Sequence, residues 1–176
     1  MNDMSNLSNA VVSQSLAGRR LEDKSVILTG AAGSIGRYIS RHLLREGAKV
    51  TMTGRDPTKL DAFVEELSEE GFDAENITTI VGDCADPQVC RDIVSRAVDT
   101  FGKLDVLVNN AGAAGPKYTL RDIPFTDVEM RAAGSDQTMF DSAMNLLGAP
   151  WNMARAAAAH LSDCLLYTSP SPRDIG

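Results

Sequence analysis

Val26 to Gly36 read V-I-L-T-G-A-A-G-S-I-G, an apolar run that breaks into glycines and restarts as a helix. Val26, Ile27 and Leu28 suit a buried strand. The turn after them carries Gly30, Gly33 and Gly36, and a helical pattern runs on through Ile35, Ile39 and Leu43. Strand, turn and helix in that order aim backbone N–H groups and a helix N-terminus at one spot, which suits a phosphate. Gly30 permits the tight turn, while Gly33 and Gly36 let a pyrophosphate and the sheet come close. Taken alone, the stretch also fits a plain strand-to-helix turn.

The same alternation repeats along the chain. Lys49 to Thr53 is a short strand. Asp56 followed by Pro57 starts a helix, with Asp as N-cap and Pro at the first helical position. Leu60, Phe63, Val64 and Leu67 recur at helical spacing, and Gly71 stops them. Ile77 to Val81 is a third strand. Asp86-Pro87 opens another helix, whose apolar face is Val89, Ile93, Val94, Ala97, Val98 and Phe101, with Gly102 after it. Val106 to Val108 is apolar throughout, as a central parallel strand should be. Strands alternating with helices imply crossovers and a parallel sheet covered on both faces. Ligands of such sheets lie outside the carboxyl ends of the strands, where the Gly30 turn, Gly54-Arg55, Asp83-Cys84 and Asn109 to Gly112 all fall.

T-G-A-A-G-S-I-G, G-D-C-A-D and L-V-N-N-A-G, at these separations, make the chain resemble the short-chain dehydrogenase/reductase family over residues 21–161. The resemblance implies an α/β fold, a Rossmann-type doubly wound parallel sheet, truncated here after the fourth strand and the long helix that follows. It implies a dinucleotide whose pyrophosphate is held at Gly30, Gly33, Ser34, Ile35 and Gly36. By the same resemblance Asp83 contacts the adenine amine, Cys84 offers its backbone N–H, and Asn110, Ala111 and Gly112 line the ribose and nicotinamide side. Many members carry glycine where Ser34 stands; its hydroxyl can still donate to a phosphate or cap the helix.

Charge bears on the choice of cofactor. An NAD site ends its second strand with an acid that binds the ribose 2′-hydroxyl. Here Gly54 takes that place and Arg55 follows. A guanidinium pairs with a 2′-phosphate, so NADP is the expected cofactor. The other reading makes Arg55 a solvated loop residue paired with Asp56. Arg37 either adds positive potential or is a surface helix residue.

Between Gly112 and Asn145 the chain is longer than ordinary family members. That insertion, with L-R-D-I-P at 120–124 and N-L-L-G-A-P-W at 145–151, resembles the N-terminal reductase modules of bifunctional malonyl-CoA reductases. This resemblance implies NADPH-dependent reduction of a small carbonyl, malonate semialdehyde, to 3-hydroxypropionate. Asn145 matches the family's catalytic asparagine, which holds a water in a proton relay; its other role is a helix-distorting polar residue.

The family's chemistry needs a tyrosine one helical turn before a lysine, the lysine lowering the pKa of the acid. Tyr38 is followed four places on by His42, Tyr118 by Asp122 and Tyr167 by Ser171, so none qualifies. Cys164 to Asp174 read C-L-L-Y-T-S-P-S-P-R-D, which resembles a transposase sequencing adapter translated in frame. A Pro/Ser-rich tail or a linker are the alternatives. The expected organisation is a flexible tail over 1–20, a truncated NADP-binding domain over 21–163 and non-native residues over 164–176. Such a chain would leave the fourth strand with an unpaired apolar edge, bind the adenosine end of NADP weakly and transfer no hydride. A non-catalytic NADP-binding module and an assembly scaffold of the same fold are the competing functions.

The 176 residues allow one domain, and a hydrophobic share of 43% suffices for its core. A net charge of −7 with no basic cluster argues against nucleic-acid binding. No stretch is long and apolar enough for a membrane span, and no signal-peptide pattern opens the chain. Cys84 and Cys90 form no metal-type C-x-x-C, so a cytoplasmic location with reduced thiols is expected. Cys84 is either a reactive thiol or, more simply, a loop residue used through its backbone. His42 and His160 stand without partners in sequence. Trp151 is expected to pack, and Ala154 to Ala159 to form a helix–helix face, either between two subunits of a homodimeric parent or beneath further strands.

Overall fold

In the computed structural model of the chain, residues 19–112 and 139–161 are described, with 139–145 as helix backbone only. Four strands and four α-helices alternate among them. They are β1 (Ser25–Thr29), α1 (Ser34–Arg45), β2 (Lys49–Gly54), α2 (Pro57–Glu69), β3 (Ile77–Val81), α3 (Pro87–Phe101), β4 (Val106–Val108) and α4 (Met139–Ala157). The strands form one parallel sheet in the order β3-β2-β1-β4, with Val26 beside both Val50 and Val106. The chain thus steps outward from β1 to β3, then returns to the far side of β1. That reversal opens a crevice at the carboxyl ends of β1 and β4.

Side chains alternate across the sheet and build two cores. Val26, Leu28, Val50 and Met52 face α1 and α2, where Leu44, Leu60, Phe63 and Leu67 meet them. Ile27 faces the other way, toward Cys90, Ile93 and Ala97 of α3 and Met153 and Ala157 of α4. Helix starts follow local chemistry. Asp56 accepts from the Lys59 amide at 3.1 Å and Asp86 from the Gln88 amide at 2.7 Å, each followed by proline at the first helical position. Gly102, at φ +78°, ends α3 in the left-handed region, where a side chain would be strained.

Two expectations are corrected here. Ile35 is not on the packed face of α1; it is 68% exposed, and Gly36, Ser40 and Leu44 are the buried row. The cause is Gly36, which must lie against the turn after β1 and so sets the rotation of the helix. Trp151 does not pack either and is 69% exposed. The face of α4 turned to α3 carries Met153 and Ala157, and Trp151 falls outside it. The two histidines, His42 and His160, lie exposed at the surface.

Helices α1 and α2 are fastened along their outer edge. Arg37 donates to both Glu66 oxygens at 2.7 and 2.6 Å, and Arg41 reaches Glu66 and Glu70. Both guanidinium groups lie over the Phe63 ring, at 4.8 and 5.1 Å from its centre. Hydrogen bonding to Arg37 lowers the Glu66 carboxyl below its ordinary range, and hydrogen bonding to Arg41 does the same for Glu70. Arg37 is therefore committed to this edge, as a surface helix residue.

Asp105 closes the end of the sheet opposite the crevice. Its carboxylate accepts from the Ser25 amide at 2.9 Å and lies 3.2 Å from Lys24 Nζ and 3.0 Å from Lys103 Nζ. Burial pushes this carboxyl up, but the Ser25 amide and the two ammonium groups outweigh it and hold it below the ordinary aspartate value. A carboxyl depressed in the folded state stabilises above its unfolded pKa, and that gain is lost as pH falls through the folded value. Asp105→Asn is expected to cost about 1–3 kcal/mol near neutrality. In urea titrations at several pH values, the gap between wild type and variant should close below about pH 4.

Candidate functional site

The carboxyl ends of the strands border a cleft of about 430 Å³, within the range of small-ligand sites. Gly30, Gly33, Ser34, Ile35 and Gly36 line one side, Arg55 a second, Asp83 and Cys84 a third, and Asn110, Ala111 and Gly112 a fourth. All of these expected positions are thus brought together from four loops. Asn145 has its backbone in α4, and its side chain lies outside the described residues.

The glycine turn is built by close backbone approach. Gly30 has φ +66°, and a Cβ there would stand 3.0 Å from the Ala111 Cα. A Cβ on Gly36 would stand 2.1 Å from the Gly30 carbonyl oxygen. The Gly33 amide donates to the Gly30 carbonyl at 3.0 Å, and the Ala31 amide to the Thr53 carbonyl at 3.2 Å. Gly33 begins α1 without a side-chain cap, and the first helical bond runs from the Arg37 amide to the Gly33 carbonyl at 2.9 Å. The amides of Ser34, Ile35 and Gly36 therefore have no protein acceptor among the described residues. Three unpaired N–H groups at the positive end of a helix, on the wall of a cleft, favour an anion.

Thr29, which sequence reasoning passed over, holds this wall in place together with Asn110, and Asn152, also passed over, secures the third side. The Thr29 hydroxyl accepts from the amides of Asn110 and Ala111 at 3.0 and 2.9 Å. Asn110 answers by donating its side-chain amide to the carbonyls of Thr29 and Gly30 at 3.0 and 3.2 Å. Asn110 thus lines the cleft while its Nδ2 is committed to the turn. On the third side, Asn152 of α4 donates to the Ala85 carbonyl at 3.0 Å and ties that loop to the helix. Among the described residues the Asp83 carboxylate accepts only from the Ala85 amide, at 3.0 Å, through one oxygen.

The Cys84 thiol is buried, and burial first, then the neighbouring Cys90 and Asp83, push its pKa up to about 12. Cys90 Sγ donates to the Cys84 carbonyl at 3.2 Å. Of the two roles open to Cys84, the nucleophilic one is not supported by this environment. The second side is cationic. Gly54 supplies no acid at the end of β2, and Arg55 is exposed with no ion pair or hydrogen bond among the described residues. Asp56 pairs with Lys59, at 3.5 Å, and not with Arg55 as the alternative reading had it.

A glycine turn feeding an uncapped helix, placed at the reversal of a 3-2-1-4 parallel sheet, defines a Rossmann-type nucleotide-binding fold. Residues 24–163 match the short chain dehydrogenase family, and the chain belongs to it. Among characterised relatives, it is 34% identical to the 7α-hydroxysteroid dehydrogenase of Bacteroides fragilis over 72% of this chain and 44% of that one. The crystal structure of the N-domain of a bacterial malonyl-CoA reductase with NADP superposes with a TM-score of 0.70 and 39% identity, covering 82% of this chain and 27% of that one. A short chain dehydrogenase from Burkholderia cenocepacia in complex with NADP gives 0.61 and 31%, covering 81% and 52%. The chain spans about half or less of the length of these relatives. No helix among the described residues is long and apolar enough to cross a membrane.

Two outcomes follow from this geometry. Gly36→Ala cannot be absorbed by a rotamer change, because the obstacle is backbone. It should cost about 1–3 kcal/mol in denaturant titrations and weaken nucleotide binding. Cys84 should resist iodoacetamide at pH 8 in the native chain, where burial disfavours the thiolate, and react on unfolding; peptide mass analysis separates the two states.

Proposed function

We propose that this chain is the cofactor-binding portion of an NADP-dependent oxidoreductase that reduces a small carbonyl to an alcohol. The observation that carries the NADP reading is Arg55: exposed, unengaged among the described residues, lining the cleft and following a strand that ends in glycine. A 2′-hydroxyl would find no carboxylate at Gly54, whereas a 2′-phosphate would find a guanidinium. The unpaired amides of residues 34–36 would hold the pyrophosphate, and Asp83 keeps one oxygen for the adenine amine. Bound NADPH supplies the hydride; Asn145 is the residue of this chain assigned to the proton relay.

Malonate semialdehyde is the carbonyl this reading favours. Its support is the likeness to the malonyl-CoA reductase N-domain at 39% identity, together with the insertion between Gly112 and Asn145. No tyrosine in the chain has a lysine four places on, so the 176 residues alone are proposed to bind cofactor without turnover. The intact parent, located in the cytoplasm and possessing that pair, would carry the reaction.

Calorimetric titration tests the cofactor assignment. NADPH should bind at least about tenfold more tightly than NADH, and Arg55→Met should erase most of that difference. Equal affinity for the two nucleotides would refute the NADP reading. For the parent, loss of NADPH absorbance on adding malonate semialdehyde, and not on adding sugars or steroids, is the expected result.

A further inference from the structure

We propose that Lys59 is a second specificity-determining residue of the cleft, paired with Asp56 and within a short swing of the nucleotide's 2′-phosphate beside Arg55. The inference rests on the NADP reading and adds to it a residue three places into α2. Arg55, Asp56 and Lys59 line the same wall.

The argument starts from the start of α2. Asp56 must cap that helix, and it does so by accepting from the Lys59 amide at 3.1 Å. The cap leaves a carboxylate at the corner where a phosphate dianion would sit. It also uses up an N–H of α2, so this helix end offers little to an anion, unlike the uncapped start of α1. Positive charge at the corner has to come from side chains. Lys59 folds back over the cap, with Nζ 3.5 Å from the second carboxylate oxygen of Asp56. The same lysine therefore both fills the cap and offsets its charge.

With Arg55 the corner then holds two cations against one anion. An ammonium has three donors, enough to keep Asp56 and also reach a phosphate oxygen. The side chain of Lys59 is 71% exposed, so no packing opposes a short swing toward the ligand. A nucleotide with a 2′-hydroxyl carries no charge there and would gain little from either cation.

The test is calorimetric titration of the 176-residue chain with 2′,5′-ADP and with 5′-AMP, with melting curves for every variant. Wild type should prefer 2′,5′-ADP. Lys59→Met should weaken 2′,5′-ADP about five- to tenfold and 5′-AMP by less than about twofold. Lys59→Arg should retain the preference. Asp56→Asn keeps an effective cap and should tighten 2′,5′-ADP by about two- to threefold, a gain that shrinks when Lys59→Met is added. A merely structural lysine would not produce that coupling.

If Lys59→Met binds 2′,5′-ADP as wild type does while Arg55→Met loses the preference, the role of Lys59 is overturned and the NADP reading stands. Equal weakening of both ligands by Lys59→Met also overturns it. A wild type that shows no preference, binding to neither ligand included, overturns both. Should Lys59→Met melt early, Asp56→Asn decides, and no gain in that variant overturns the proposal.

Discussion

The cleft depends on the bridge between the first strand and the fourth. These strands are neighbours whose following segments lie on opposite faces of the sheet, so their carboxyl ends part and leave a gap. Thr29 and Asn110 cross that gap with hydrogen bonds from amides to a hydroxyl and from an amide side chain to two carbonyls. The Thr29 hydroxyl and the Asn110 side-chain amide thereby find partners, which keeps the cost of burying these two groups low. The bridge also sets how far Gly30 stands from Ala111, and so leaves no room for a Cβ. Through Gly36 the same constraint passes to α1, whose rotation and exposed amides follow from it.

Charge is distributed with a matching economy. The chain is acidic overall, yet most of its arginines near the site are engaged elsewhere. Arg37 and Arg41 bind carboxylates of α2 and lie on Phe63, which fastens two helices and leaves the cleft untouched. Surface pairs of this kind contribute little singly and more as a network on an aromatic base. What remains to attract an anion is the uncapped start of α1 and the corner at Arg55. A short, local source of positive potential within an acidic surface suits a small phosphorylated ligand better than a polymer.

Much of this was readable along the chain because it is local. Asp-Pro before an apolar period marks two helix starts, and left-handed glycines mark their ends; both devices act within a few residues. The 77–81 and 106–108 strands have the bounds that their composition suggests. The rotation of α1 was readable in part: Ile39 and Leu43 pack against the core as their spacing suggests, while Ile35 in the first turn stands exposed. The close approach of Gly36 to the Gly30 carbonyl is what turns Gly36, and not Ile35, toward the sheet. Asn110 and Thr29 are 81 residues apart, and no periodicity announces such a partnership. Asp56 beside Arg55 suggested a pair of neighbours, whereas capping geometry turns the carboxylate toward Lys59. Trp151 misled because a large apolar side chain was assigned to a helix whose buried stripe needed only Met153 and Ala157. The insertion and the side chain of Asn145 fall outside the described residues.

The exposed indole at Trp151 has a practical side. It is the sole tryptophan in the chain. One helical position on, Asn152 grips the Ala85 carbonyl beside the cleft. Emission from this protein is thus a single-site optical signal, arising from a solvated ring on the same turn of helix that anchors a cleft loop. Any subunit or segment that comes to rest on that helix would strip water from the ring and shift its colour toward the blue, without a label having been attached.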